Sequence, residues 1–138
     1  MPTNDAAILF PNELTPHDRG NGVRTIPLVS RNNGSTSLIN GITEFDPSTS
    51  VPLHKHNCEE SVMVLEGDAI VEIDGEQHHL SAQDTTWLPA DLPHRFINAS
   101  DTNRMRIFWT YASIDATRTN MQTGEEGSID AERKGVAA

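Results

Sequence analysis

The chain contains a single cysteine among its 138 residues, so no disulfide can form within it. Small secreted domains commonly depend on several disulfides, whereas free thiols are usual in reducing compartments. The first ten residues also lack the basic segment and the apolar run of a secretory signal. We therefore expect a cytoplasmic protein.

Basic residues and long apolar runs are scarce as well. Ten lysines and arginines stand against twenty aspartates and glutamates, which gives a formal net charge of −10. Nucleic acids and anionic membrane surfaces require a basic patch, so we expect neither as a partner. No apolar run approaches the roughly 20 residues that cross a bilayer. The expected partner is a small molecule, and an anionic one would depend on a metal ion together with Arg95, Arg104 or Arg106.

The pattern of residues divides the chain into three parts. Residues 1–22 mix the apolar run Ile8-Leu9-Phe10 with prolines and glycines and follow no helix or strand period, which predicts an extended arm. Residues 23–112 are long enough for one compact domain. Residues 113–138 lose apolar periodicity and are rich in Thr, Gly, Glu and Asp, which predicts a loosely held tail.

The central part shows short segments in which apolar and polar residues alternate, separated by turns. Residues 69–73 alternate before Asp74-Gly75, which is the strongest hairpin signal in the sequence. Residues 105–111 alternate again, with bulky side chains on both faces. Short strands at regular spacing, punctuated by Gly, Pro and Asp, predict an all-β barrel or sandwich.

Three histidines and a glutamate are spaced for a metal site. His54 and His56 lie two residues apart, so on a β-strand both imidazoles point to one face. Glu60 can face the same cavity if the chain turns near Asn57, and His94 can complete the set from across a small barrel. Three nitrogens and one carboxylate oxygen suit divalent Zn, Mn, Fe, Co, Ni or Cu, with room left for water or substrate.

These residues resemble the two motifs of the cupin family. The first motif, G(x)5HxH(x)3-4E(x)6G, is matched at His54, His56, Glu60 and Gly67, and the second, G(x)5PxG(x)2H(x)3N, at Pro89, His94 and Asn98. Three motif glycines, which serve turns, are replaced by Ser48, Gln83 and Asp91. The resemblance covers about residues 38–111. It implies a single jelly-roll β-barrel with a metal bound at His54, His56, Glu60 and His94.

The resemblance leaves three functions open. In the first, the metal acts as a Lewis acid on a small carboxylate, keto or hydroxy metabolite, in a lyase, isomerase or decarboxylase reaction. In the second, Fe(II) at the same site makes the protein a dioxygenase. The third is a non-catalytic, metal-dependent binding or sensing module, since the family includes proteins without catalysis. Family habit and the apolar arm also suggest a homodimer formed through the arm and an edge strand.

The sequence predicts the other residues that line the cavity less precisely than the metal ligands. Pockets are mostly apolar, so one or two of six large side chains should line this one, although each alone is more typical of a core residue. These six are Met63, Trp87, Phe96, Phe108, Trp109 and Tyr111. Arg106 points inward in one strand register and outward in the register shifted by one residue. Cys58 lies between the ligand candidates and has either a redox or a purely structural role. No residue is assigned as a proton carrier.

Overall fold

Two antiparallel sheets of six strands each form a barrel in the computed structural model, which describes residues 5–129. The strands are β1 (His17–Gly20), β2 (Val23–Pro27), β3 (Ile39–Phe45), β4 (His54–His56), β5 (Glu60–Glu66), β6 (Ala69–Ile73), β7 (Glu76–Leu80), β8 (Thr85–Leu88), β9 (His94–Asn98), β10 (Met105–Tyr111), β11 (Thr117–Asn120) and β12 (Glu126–Ser128). Short 3-10 turns occupy Pro11–Glu13 and Arg31–Asn33. Within residues 5–129, no helix has the length and apolar character needed to cross a bilayer.

The chain crosses repeatedly between the two sheets. One sheet has the strand order β1-β2-β3-β10-β5-β8, and the other has the order β12-β11-β4-β9-β6-β7. Neighbours such as β3 and β10, or β4 and β9, are therefore distant in sequence. This arrangement is that of a jelly roll. The all-β jelly-roll barrel predicted from the sequence is confirmed.

Strand alternation places apolar side chains between the sheets. In β5, Val62 and Val64 are buried, whereas Met63 between them is exposed. Other buried residues of the same core cluster are Ala69, Val71, Phe96, Ile107, Trp109 and Tyr111. Full burial of one such side chain contributes about 1.5–3 kcal/mol, so this layer is the main source of stability.

The hairpin predicted at Asp74-Gly75 joins β6 to β7. Asp74 has a φ of 50° and Gly75 a φ of 85°, so both central residues are left-handed. Two such residues in succession are typical of a type I′ turn, whose twist matches that of the flanking strands. The paired register from Ala69↔Leu80 to Ile73↔Glu76 is continuous, and the prediction is confirmed.

The three residues that replace motif glycines keep a left-handed backbone. The φ angles are 62° at Ser48, 78° at Gln83 and 66° at Asp91. A residue with a Cβ is strained in this region, whereas glycine is not. The turn geometry of the motifs is therefore preserved although the glycines are absent.

Gly41 allows an indole ring to lie flat on the first sheet. It pairs with Trp109 across β3 and β10. A Cβ at Gly41 would lie 2.6 Å from Trp109 Cζ2 and 2.8 Å from the Ile26 carbonyl oxygen. The indole Nε1 donates to Thr43 Oγ1 at 2.8 Å. These contacts fix Trp109 as one wall of the barrel interior.

Both ends of the chain contribute strands to the sheets. Residues 5–10 run without regular secondary structure, as expected of an arm, but β1 pairs with β2. The loosely held tail predicted after residue 112 does not describe residues 117–128. There β11 pairs with β4 and with β12, and Ala116, Arg118 and Ile129 are buried. The predicted tail residues 130–138 lie outside the described range.

Candidate metal centre

The proposed ligands meet at the barrel interior from both sheets. His54 and His56 are the ends of the short strand β4, and His94 begins β9, where it pairs directly with His54. Glu60 begins β5 in the other sheet. All four are buried, with exposed fractions of 2–6%. The alternation that predicts a shared face for His54 and His56 therefore brings them to the face that packs inward.

The donor atoms of these residues are close together. The three histidines each offer a ring nitrogen, and these nitrogens lie within 4.8 Å of one another. Glu60 Oε1 lies 3.1 Å from His94 Nε2 and 3.4 Å from His56 Nε2. The three histidines can therefore hold a metal ion, and the carboxylate of Glu60 is adjacent to two of them.

Backbone carbonyls set the orientation of all three imidazoles. In each ring, Nδ1 lies within hydrogen-bond distance of a carbonyl oxygen. The acceptors are Pro52, Thr117 and Leu92, at 2.7, 2.9 and 2.8 Å from His54, His56 and His94 respectively. A carbonyl can only accept, so Nδ1 carries a proton, and in a neutral ring Nε2 then keeps its lone pair. This is the arrangement that orients histidine ligands in metal sites.

His54 has a second neighbour at the same nitrogen. Arg118 Nη2 lies 3.1 Å from His54 Nδ1, but a protonated Nδ1 cannot accept from a guanidinium. The contact with the Pro52 carbonyl is shorter, at 2.7 Å. We therefore assign Nδ1–H to the bond with Pro52 and treat Arg118 as a charged neighbour.

Burial keeps two of the histidines neutral. It lowers the pKa of His54 well below its ordinary value, and the positive charge of Arg118 lowers this pKa further. Burial also lowers the pKa of His56, with the charge of Glu60 acting in the opposite sense. A metal ligand must be unprotonated, so these shifts favour metal binding near neutral pH.

The site has the features of one that accommodates a cation. Among the described residues 5–129, none forms a hydrogen bond with the buried His56 Nε2. His94 Nε2 and Glu60 Oε1, both acceptors in the assigned tautomer, face each other at 3.1 Å. Ligands about 2.0–2.1 Å from one ion lie roughly 3–3.5 Å apart when adjacent, so these separations suit a shared metal. A cation between the acceptors would replace their repulsion by attraction.

The candidate metal centre opens onto a small cavity inside the barrel. Its volume is about 30 Å³, which is room for roughly two water molecules. The aromatic residues Phe45, Phe96, Trp109 and Tyr111 form much of its wall. Two buried arginines, Arg19 and Arg118, also line it.

Among the predicted cavity residues, Phe96, Trp109 and Tyr111 line the cavity. Met63 lies on the outward face of β5, and Trp87 is 65% exposed, with its Nε1 donating to Glu59 Oε1 at 2.7 Å. Arg106 and Phe108 are half-buried on the opposite face of β10 from the cavity. The strand parity of β10 is the reason, because Ile107, Trp109 and Tyr111 occupy the inward positions.

The three arginines considered as candidates for attracting an anion do not line the cavity, and for Arg95 the outward-facing ion pair is what strand alternation predicts. Arg95, Arg104 and Arg106 form ion pairs with Glu72, Glu66 and Glu44, at 3.2, 3.0 and 3.0 Å. Arg19 and Arg118 stand in the cavity instead. Sequence reasoning missed both, because they lie in the segments that were interpreted as an arm and a tail.

Asn98, the last residue of the second motif, has a structural role. Its Nδ2 lies 3.2, 3.1 and 2.9 Å from the carbonyl oxygens of Phe45, Asp46 and Asn103. Its Oδ1 accepts from the Ser100 N–H at 3.0 Å. The buried amide thus ties the turn after β9 to the end of β3, and it does not face the metal centre.

Cys58 is a half-buried free thiol packed against the core. Burial raises the pKa of this thiol, and the nearby carboxylates of Glu60 and Glu59 raise it further. The thiolate is therefore disfavoured at neutral pH. This favours the structural role over the redox role.

Comparison with known proteins gives one family match. The sequence profile of the cupin domain matches residues 41–111, which include all four proposed ligands. Arg19 and Arg118 both lie outside this range.

Curated relatives share part of the chain. Polyketide synthase CurC of Streptomyces cyaneus is 35% identical over 98 residues, which are 70% of this chain and 63% of that protein. Dimethylsulfoniopropionate lyase DddW of Ruegeria pomeroyi (strain ATCC 700808 / DSM 15171 / DSS-3) is 32% identical over 79 residues, which are 57% of this chain and 52% of that protein. The chain thus spans between half and two thirds of the length of these relatives.

A solved structure shares the architecture. The polyketide cyclase RemF of Streptomyces resistomycificus superposes with a TM-score of 0.73, covering 91% of this chain and 86% of that chain. The sequence identity is 14%, so this likeness shows the fold alone.

Proposed function

The chain belongs to the cupin family, and from this premise we propose that it is a metal-dependent enzyme acting on a small oxygenated metabolite. The proposed ligands of a divalent ion are His54, His56, His94 and Glu60. The favoured reaction class is that of a lyase, isomerase or decarboxylase, in which negative charge develops on a substrate oxygen.

One observation supports this proposal above the others. Three buried imidazoles have their Nδ1 atoms committed to backbone carbonyls, which leaves three Nε2 lone pairs beside the Glu60 carboxylate. Burying so many acceptors together is unfavourable unless a cation or a proton lies among them. A divalent ion satisfies all of them at once.

The surrounding residues suit Lewis-acid chemistry. When bound, a divalent ion polarises substrate oxygens and stabilises an oxyanion. The aromatic walls formed by Phe45, Phe96 and Trp109 give the cavity a low-dielectric lining, which strengthens electrostatic interactions there. The histidines act as ligands, so another group must carry the proton. Tyr111 lines the cavity with its ring centre 4.6 Å from that of His56, and it is our candidate for that role.

The named relatives guide the choice of substrates to test. One is called a lyase and one a polyketide synthase. Elimination and the cyclisation of keto compounds both pass through carbanions or enolates that a Lewis acid stabilises. We therefore place β-keto and β-substituted carboxylic compounds first in the substrate panel.

The ligand assignment is tested by the metal content of purified variants. We expect the wild-type protein to contain about one metal ion per chain and His56→Ala to retain roughly a tenth of that or less, measured by elemental analysis. His78→Ala is the matched control, since His78 is exposed on β7 and should leave the metal content unchanged. Equal metal content in the wild type and His56→Ala would defeat the assignment.

Turnover assays in air and under argon separate the reaction classes. A lyase or isomerase converts substrate equally in both atmospheres, loses activity after chelation and regains it when metal is restored. Conversion that requires air and consumes oxygen would identify a dioxygenase instead. Binding of panel compounds without any turnover would favour the binding module.

A further inference from the structure

Two buried threonines and an indole form a chain of hydrogen bonds next to the cavity. Thr25 on β2 and Thr43 on β3 face each other in register, and their hydroxyl oxygens lie 3.2 Å apart. Trp109 Nε1 donates to the same Thr43 oxygen at 2.8 Å. Thr25 and Thr43 are 2% and 3% exposed, so the polar groups of this chain must find their partners inside the barrel.

The chain contains one more hydroxyl proton than its own oxygens can accept. The indole N–H only donates, and each hydroxyl supplies one proton and two lone pairs. One hydroxyl proton forms the bond between the two threonines, and either oxygen can be its donor. Within residues 5–129, neither hydroxyl forms any other hydrogen bond. One proton is therefore left over, and it belongs either to Thr25 or to Thr43.

The position of the cavity decides between the two threonines. Thr43 lines the cavity together with Trp109, whereas Thr25 does not line it. If Thr43 donated to Thr25, the proton left over would be buried on Thr25 without an acceptor, which is unfavourable. If Thr25 donates instead, Trp109 and Thr25 occupy both lone pairs of Thr43. The O–H of Thr43 then takes the remaining direction and can be satisfied by a molecule in the cavity.

We propose that Thr43 is a specificity-determining residue, whose hydroxyl donates a hydrogen bond to an acceptor oxygen of the ligand in this cavity. The inference rests on the proposed function for the view that the cavity is a substrate site. The acceptor is a carbonyl, carboxylate or alkoxide oxygen. An amine or ammonium group in the same place would meet a donor with its own donors and is disfavoured.

The size of the cavity brings this donor and the candidate metal centre to the same ligand group. The volume is about 30 Å³, or roughly two water molecules, and His54, Glu60 and His94 line the cavity together with Thr43. A hydrogen bond strengthens when its acceptor becomes charged. The bond from Thr43 would therefore stabilise a substrate oxygen on which negative charge develops, and the bonds from Thr25 and Trp109 orient this donor in advance.

The test measures the binding of formate to the zinc-loaded protein. Formate is small and offers acceptor oxygens, and calorimetry gives its Kd at constant ionic strength without any need for turnover. We expect Thr43→Val to bind formate about tenfold more weakly or worse, because valine keeps the shape of threonine but loses a donor to a charged acceptor. An unchanged Kd in Thr43→Val would overturn the proposal.

Two matched variants assign the effect to the hydroxyl. Thr43→Ser keeps the donor and should bind formate like the wild type. Thr110→Val makes the same substitution at a half-buried position of β10 that does not line the cavity, and it should also bind like the wild type. A loss in Thr43→Ser as large as that in Thr43→Val would show that the hydroxyl is not the cause, and would overturn the proposal.

Thr25→Val tests the direction of the bond between the threonines. If Thr25 is the donor, its loss leaves the O–H of Thr43 in the cavity, and the Kd for formate stays close to that of the wild type. If Thr43 were the donor, the variant would release its proton towards the cavity and formate would bind about tenfold more tightly, which would overturn the proposal. This comparison holds even if Thr43→Val does not fold because Trp109 has lost its acceptor.

Zinc content and titrations after treatment with EDTA keep the outcomes separate. Formate binding that depends on Thr43 in the absence of metal would support the donor role even if the proposed metal-dependent function failed. Normal zinc binding with a formate Kd that is insensitive to Thr43→Val would leave the proposed function standing and overturn the role of Thr43. The absence of formate binding to the wild type, with and without zinc, would also overturn it.

Discussion

At the scale of single residues, three positions retain the backbone of glycine without being glycine. Ser48, Gln83 and Asp91 have φ angles of 62°, 78° and 66°. Asp tolerates this conformation better than a long side chain, because its short polar group can bond locally. Gln83 therefore bears more strain than Asp91.

Replacing Gln83 by glycine should stabilise the protein. The left-handed conformation costs a residue with a Cβ about 1–2 kcal/mol, part of which is offset by the greater freedom of glycine in the unfolded chain. We expect the free energy of unfolding of Gln83→Gly to rise by up to about 1 kcal/mol, measured by urea denaturation.

Gln77→Gly is the matched control for that substitution. Gln77 is an exposed residue of β7 whose φ is not positive. Glycine within a strand should lower the free energy of unfolding by roughly 0.5–1 kcal/mol. The strain argument would be contradicted if both variants shifted stability in the same direction.

The residues of the candidate metal centre could be predicted from the sequence, but their tautomers could not. Strand periodicity predicted a shared face for His54 and His56, and the resemblance to the cupin motifs added Glu60 and His94 to the candidate set. The proton positions depend on carbonyl acceptors, and for His56 that acceptor belongs to Thr117 in β11. No local sequence pattern predicts a contact between residues 61 positions apart.

At the scale of elements, β11 is the strand that sequence reasoning failed to find. Its sequence, Thr-Arg-Thr-Asn, has no alternating apolar residues. It is a strand because β4 and β12 both pair with it. Likewise, the sequence did not determine the strand parity of β10, and this parity decides which of residues 105–111 face inward. The Asp74-Gly75 hairpin depends only on local turn chemistry and was predicted correctly.

A proline in β11 should impair both stability and metal binding. Thr119→Pro removes an N–H from a strand that pairs on both sides and should lower the free energy of unfolding by about 1–3 kcal/mol. Because the Thr117 carbonyl orients His56, metal affinity should fall roughly 10- to 100-fold. Chelator competition measures this affinity. Thr119→Ala keeps the N–H and should retain wild-type affinity; an equal loss in both variants would contradict the role of the strand.

At the scale of the whole molecule, the arm leaves apolar side chains in water. Ile8 is 78% exposed and Phe10 is 56% exposed, next to β1 at the edge of a sheet. An unpaired edge with adjacent apolar residues is a surface on which a second copy of a chain can pair. The homodimer expected from the sequence therefore remains our prediction.

Light scattering at micromolar concentration tests this prediction. We expect the mass of a dimer for the wild-type protein, and a shift towards monomer for the double variant Ile8→Ser, Phe10→Ser. Leu38→Ser is the control, because Leu38 is also partly exposed but lies outside the arm. A monomeric wild type would contradict the predicted dimer. A double variant that stays as dimeric as the control would show that the arm is not part of the interface.

Arg19 and Arg118 enter the barrel from strands that flank the region shared with other cupins. A chain cut back to residues 41–111 would therefore lose both guanidinium groups from the cavity wall while keeping the four residues of the candidate metal centre.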